Sequence, residues 1–139
     1  MSLKPLMSKI ITSLPARATA LDAAKFMTDM NVGSVIVVEG NKPVGIVTDR
    51  DIMTKVIIEG RNPAKVTIKD IMTSPVITVS VEKSIFDVTK LMNKYRVRRF
   101  PVVDAEGNIV GVVTLSDILV FIGQEMKNIA TSLKVRLGK

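Results

Sequence analysis

The octapeptide GIVTDRDI, Gly45 to Ile52, returns 66 residues later as GVVTLSDI, Gly111 to Ile118. Five of the eight positions are identical, and Ile46/Val112 is a like-for-like exchange. The echo is longer than the octapeptide. At an offset of 65, Asp22, Lys25, Met27, Val32, Val37 and Val38 recur as Asp87, Lys90, Met92, Val97, Val102 and Val103. The offset becomes 66 because the loop Asp104 to Asn108 is one residue longer than Glu39 to Lys42. A length change confined to a turn is where a duplicated fold tolerates it. A unit of about 60 residues is marginal alone. Two such units packed face to face bury what each leaves open. The repeat therefore predicts one compact, pseudo-twofold module.

Each copy can be read by its apolar period. Copy one opens with an extended piece, Ile10 to Leu14. A helix follows with Ala20, Ala23, Ala24 and Met27 on one face. Strand Ser34 to Val38, a Gly40-Asn41 turn and strand Val44 to Val47 come next. A second helix starts near Asp49 and ends by Gly60 and Pro63. Copy two gives strand Val76 to Val79 and a helix with Ile85, Val88 and Met92 aligned. Strand Phe100 to Val103, a Gly107-Asn108 turn, strand Val110 to Val113 and a helix from near Ser116 complete it. Gly123 is expected to kink that helix or to divide it from a basic helix, Gln124 to Val135. The fold class is α+β, with β-α-β-β-α written twice. The expected bounds are 7–60 for the first repeat, 61–70 for a linker, 71–123 for the second repeat and 124–139 for a C-terminal basic helix and tail. Met27, Met30, Met53 and Met92 are expected in the core or at an interface, with core preferred.

Composition limits the chemistry. The chain has no Cys and no His. Disulfides and thiolate chemistry are absent, and so are the commonest general base and the commonest metal ligand. Carboxylates and Lys remain, but the chain reads as non-enzymatic, with no catalytic and no metal-ligating residues. Its longest apolar runs fall far short of the ~20 residues that span a bilayer. The N-terminus MSLKPLMSK has no signal-peptide core. The expected location is the cytoplasm, with no membrane partner. The net charge of +7 favours anionic partners.

Thr48-x-x-Asp51 and Thr114-x-x-Asp117 fit a capping box, and so do Thr19/Asp22, Thr67/Asp70 and Ser84/Asp87. Spacing alone thus marks helix starts. Only the Thr48 and Thr114 pairs directly follow a Gly-apolar-Val strand, which places them at a sheet edge beside a helix N-terminus. Such a terminus offers N–H groups and partial positive charge to phosphate. A hydroxyl with a carboxylate suits the adjacent hydroxyls of a ribose. One pair of residues can serve both roles.

With these features the sequence resembles a tandem pair of CBS (cystathionine β-synthase) domains, the Bateman module. The octapeptides carry the resemblance, helped by IMTSPVITV, LMSKIITSL, YRVRRFPVVD and NVGSVIVVE. It covers essentially Met7 to Ile122. It implies two clefts for adenosine-containing ligands: AMP, ADP, ATP, S-adenosylmethionine or sometimes NAD. One implied site joins Thr48 and Asp51 to Ser74, Ile77, Thr78, Val97, Arg98 and Arg99. The carboxylates would hold ribose, Ile77 and Val97 would flank adenine, and the arginines would meet phosphate. The other joins Thr114 and Asp117 to Ile11, Thr12, Gly33 and Ser34. RRFP supplies two cations where GSVI supplies none, so the first site is expected to take the more anionic ligand. Arg50 is either a solvated helix-start residue or a further phosphate contact.

The resemblance implies a stand-alone regulatory module that binds an adenine nucleotide or S-adenosylmethionine and signals to a protein target by changing shape. A homodimer packed through helices is implied as well. The rival readings are a nucleic-acid-binding module and a protein-interaction scaffold. No helix-turn-helix, zinc or aromatic RNA-binding signature supports the former. Arginines gathered at a cleft would favour nucleotide, and a continuous basic stripe would favour nucleic acid.

Overall fold

The computed structural model describes residues 2–9 and 11–136. Ile10, the expected start of the first extended piece, and residues 137–139 of the expected tail lie outside them. In the first repeat, β1 (Ser13–Leu14) runs parallel to β2 (Ser34–Glu39), and β2 pairs antiparallel with β3 (Lys42–Thr48). Between β1 and β2 lies α1 (Ala20–Met30), started by a full Thr19/Asp22 capping box and ended at Asn31 in the left-handed region. After β3, Thr48 caps α2 (Asp49–Ile52), which continues as a π-helical turn, Met53–Ile57.

The second repeat has the same order. A short helix, α3 (Ile68–Ile71), precedes it. Strand β4 (Val79–Ser80) is parallel to β5 (Arg99–Val103), which is antiparallel to β6 (Ile109–Thr114). Helix α4 (Ile85–Tyr95) connects β4 to β5, and α5 (Leu115–Arg136) follows β6. The copies agree in detail. Ser34 pairs with Thr48 as Arg99 pairs with Thr114, and both hairpins change register after the equivalent Val37 and Val102.

Each repeat has its own aliphatic core, and each core is completed by chain from outside its sheet. Val66, Ile68 and Ile71 join Ala23, Val35, Val47 and Val56 in the first. Val66 and Ile68 belong to the segment read as a linker. Backbone bonds from Ile68 N to Ala18 O (2.8 Å) and Lys69 N to Ala16 O (3.0 Å) fix it there. Leu3, wholly buried, joins Val88, Phe100, Val102 and Ile118 in the second core, and its N–H donates to Val81 O at 2.9 Å. Burying a side chain of this size contributes about 1.5–3 kcal/mol.

The two repeats are crossed over each other. Thr73 pairs with Ile46 of β3, and Ser8 pairs with Val112 of β6. The strands that follow these bridges are shorter than the expected Ile10 to Leu14 and Val76 to Val79: β1 and β4 have two residues each. The hairpin tips also meet: Ile109 N donates to Asn41 O at 2.8 Å, and Lys42 Nζ donates to Glu106 O.

Three expectations need correction. Met27 and Met92 are buried, but Met30 and Met53 are about half exposed, at the last turn of α1 and in the π-helical turn, where no described chain covers them. Gly123 does not divide the last helix, which is continuous from Leu115 to Arg136. One glycine costs a helix about 1 kcal/mol, whereas a break would require a second, unfavourable nucleation. Thr67 makes no side-chain cap bond, and Ser84 makes only half of the box, accepting from Asp87 N at 3.2 Å.

Candidate functional site

The crossing of the repeats explains the glycine that opens each octapeptide. A Cβ on Gly45 would stand 2.5 Å from Met72 Sδ and 3.1 Å from Thr73 O. A Cβ on Gly111 would stand 2.8 Å from both Met7 Sδ and Ser8 O. The octapeptide strand is thus the seat on which the other repeat's leading segment lies.

Beside this seat is a cavity of about 1030 Å³. Its first wall is the paired end of β2 and β3: Gly33, Ser34, Ile46, Thr48 and Asp49. Its second is the leading segment of repeat two, Thr73 and Pro75 to Ile77, which follows a cis Ser74–Pro75 bond. Its third is Arg96 to Arg99, and its fourth is Thr114, Leu115, Ser116 and Leu119 at the start of α5.

The cavity therefore brings together residues expected in two separate sites. Thr48, Ile77, Val97, Arg98 and Arg99 from one set line it with Gly33, Ser34 and Thr114 from the other. Six of the expected residues do not line it. Ser74 donates its hydroxyl to Val44 O at 2.9 Å. Thr78 is exposed just before β4, and Ile11 and Thr12 are half-buried before β1. Asp51 Oδ2 accepts from Thr48 N at 2.9 Å, while Asp51 Oδ1 lies 3.2 Å from Lys55 Nζ. Asp117 Oδ2 accepts from Thr114 N at 3.0 Å, and Thr114 Oγ1 accepts from Asp117 N at 3.1 Å. Both carboxylates are holding caps. Arg50 is exposed and outside the cavity.

Sequence reasoning missed Asp49, Arg96 and the α5 wall. Arg96 stands two residues before Arg98 in YRVRRFP, a signal that was available. It ends α4 in the left-handed region at φ 57, where its counterpart Asn31 sits at φ 54. Asn tolerates that conformation, and Arg takes it at a cost of about 1–2 kcal/mol. Strain of this kind persists at functional sites. Asp49 had no such signal, because its counterpart Leu115 is apolar. Its Oδ2 lies 3.3 Å from where a Gly33 Cβ would be, and its Oδ1 accepts from Arg50 N at 2.8 Å.

Three arginines meet one aspartate in the cavity lining. Arg96, Arg98 and Arg99 have no ion pair or side-chain hydrogen bond among the described residues. Hydroxyls of Ser34, Thr48, Thr73, Thr114 and Ser116 alternate with the apolar surfaces of Ile46, Val76, Ile77 and Val97. The cavity can hold a flat apolar group, hydrogen-bond to hydroxyls and neutralise an anion.

The CBS domain family model matches residues 3–58 and again 68–124. The chain belongs to the CBS-domain family. Its two repeats are CBS domains, and their pairing gives the module. The chain is 40% identical over 111 residues to MK0525 of Methanopyrus kandleri, a match covering 79% of this chain and 56% of that protein. It therefore spans little more than half of that relative's length. Against the CBS domain-containing protein YhcV of Bacillus subtilis it is 32% identical over 119 residues, covering 86% of this chain and 84% of YhcV. The CBS domain pair of MJ0100, crystallised with 5′-methylthioadenosine and S-adenosyl-L-methionine, superposes with a TM-score of 0.77 at 32% identity. That match covers 90% of this chain and 98% of the other. No helix among the described residues is long and apolar enough to cross a membrane.

Proposed function

We propose that this CBS pair binds an adenosine-bearing anion in the cavity between its repeats and reports its occupancy to a partner protein. The observation that carries the reading is the set Arg96, Arg98 and Arg99, three cations against the one carboxylate of Asp49 in a cavity lining, none of them in an ion pair among the described residues. Adenine lies against Ile77 and Val97 in this reading. The phosphates meet the arginines and the positive N-terminal end of α5. Ribose hydroxyls meet the hydroxyls of Thr48 or Thr114, which line the cavity and are held in place by the caps to Asp51 and Asp117. The MJ0100 pair supports an adenosyl ligand, and the arginines here favour one that carries phosphate, such as AMP, ADP or ATP. The module is regulatory rather than catalytic, works in the cytoplasm and forms a homodimer in this reading. The arginines gather at the cavity rather than along a stripe across helices, which supports nucleotide over nucleic acid.

A thermal-shift panel with AMP, ADP, ATP, NAD and S-adenosylmethionine tests this. Binding to the folded state alone raises the melting temperature by mass action. The expected result is a rise that is larger for the phosphate-rich ligands. No rise with any of the five sinks the reading.

A further inference from the structure

The cavity has two equivalent corners, and they carry opposite chemistry. Asp49 N donates to Gly33 O at 3.0 Å, and Leu115 N donates to Arg98 O at 2.9 Å. The two bonds occupy the same place in the two repeats, each tying the entry of a strand to the residue that follows the hairpin. One corner holds Arg98 and Arg99 with the apolar Leu115. The other holds Gly33 and Ser34 with the carboxylate of Asp49. An anionic group is drawn to the first corner and repelled from the second.

The second corner is built for hydroxyls. Asp49 Oδ1 accepts from Arg50 N at 2.8 Å. Asp49 Oδ2 takes no hydrogen bond or ion pair among the described residues. It stands 3.3 Å from where a Gly33 Cβ would be, so the bare Cα of Gly33 keeps the space beside it clear. A side chain such as the one Arg98 supplies at the equivalent position would crowd it. Thr48 Oγ1, on the adjacent residue, accepts from Asp51 N at 3.0 Å, which leaves its own proton to donate. The corner thus offers a charged acceptor and a donor side by side. The two neighbouring hydroxyls of a ribose can each donate and accept, and match that pair. Asp51 and Asp117 hold caps and do not line the cavity.

We propose that Asp49, with Thr48 beside it, reads the ribose diol, so that the cavity prefers ribonucleotides to their deoxy forms. This rests on the nucleotide reading of the cavity and places the sugar on the Thr48 side, against the wall that adenine and phosphate do not use. A site that hydrogen-bonds a substrate hydroxyl rejects the analogue that lacks it. The test is calorimetry with ATP, 2′-deoxy-ATP and 3′-deoxy-ATP on the full chain, with thermal melting as the check on folding. At least one deoxy form should bind the wild type about tenfold more weakly or worse, as for a lost hydrogen bond to a charged group. Asp49→Leu, the residue found at the equivalent position 115, should bring ATP and that form to equal affinity. Asp49→Asn removes the same charge but keeps an acceptor oxygen, and should retain part of the preference. Gly33→Ala crowds Oδ2 without changing charge and should also reduce the preference, which keeps the test decisive if Asp49→Leu does not fold. Wild type that binds all three forms equally overturns the proposal and leaves the nucleotide reading standing. So does a preference that survives Asp49→Leu, or Gly33→Ala where Asp49→Leu does not fold; its loss in Asp117→Asn instead would return the role to a capping carboxylate. Wild type that binds none of the three overturns both readings.

Discussion

Thr73 and Ile46 form a two-way backbone pair across the two repeats: Thr73 N donates to Ile46 O at 2.9 Å, and Ile46 N donates to Thr73 O at 3.1 Å. Ser8 and Val112 repeat the pair at 2.8 and 2.9 Å. Both residues of the first pair line the cavity. The hydrogen bonds that hold the repeats together thus also form the wall of the candidate site.

The glycines beneath these pairs should not tolerate a methyl group. Gly111→Ala places its Cβ against a backbone oxygen, Ser8 O, which cannot step aside as the tip of Met72 can beside Gly45. Both substitutions are expected to destabilise by about 1–3 kcal/mol, with Gly111→Ala the worse. Denaturant unfolding of the two variants measures the order, and equal or negligible losses would contradict the crossing.

Leu3→Ala should cost about 2–5 kcal/mol, as for a core leucine, although it lies three residues from the start of the sequence. Ile68→Ala should cost a similar amount from the opposite core. Equilibrium urea unfolding gives both values.

Arg98→Ala and Arg99→Ala should each weaken a phosphate-bearing ligand about tenfold or more, since a hydrogen bond to a charged group contributes about 1.5–3 kcal/mol. Binding of adenosine should change little. Calorimetry with ATP and adenosine separates the two, and equal losses for both would remove the phosphate role.

Gly123→Ala should raise stability by about 0.8–1 kcal/mol, because a Cβ there meets nothing within 4 Å and the backbone is helical. A rise in melting temperature is expected, and a fall would mean that the glycine has a packing role.

Asp22 is held below the ordinary carboxylate range, first by the hydrogen bond from the Thr19 backbone N–H and then by the Thr19 hydroxyl. A depressed carboxylate stabilises the fold above its unfolded value of about 3.9, and that contribution is lost as pH falls through the lower folded value. Comparing Asp22→Asn with wild type should show a stability difference at neutral pH that disappears in acid. An NMR titration of Asp22 with its midpoint at the ordinary value would refute the cap.

The order of elements was legible because apolar period and duplication are local, additive signals. Ser34 to Val38 and Phe100 to Val103 read as strands apolar on both faces, and in each strand the three central residues are buried. The caps at Thr19, Thr48 and Thr114 were legible too, since a capping box lies within four residues. Arg98 and Arg99 stood out as cations facing a site whose other copy has Gly33 and Ser34.

What only the tertiary structure decided depends on residues far apart in sequence. Leu3 and Val81 meet across 78 positions of chain, and no local pattern marks such a pair. The merging of Gly33, Ser34 and Thr114 with Arg98 and Arg99 in one cavity follows from how the repeats cross, with Thr73 on Ile46 and Ser8 on Val112. The sequence by itself determined two like units and the residues that cap their helices, because those depend on neighbours a few positions away. The crossing and the shared cavity were decided by packing between units, where each residue's partner is set by the whole fold.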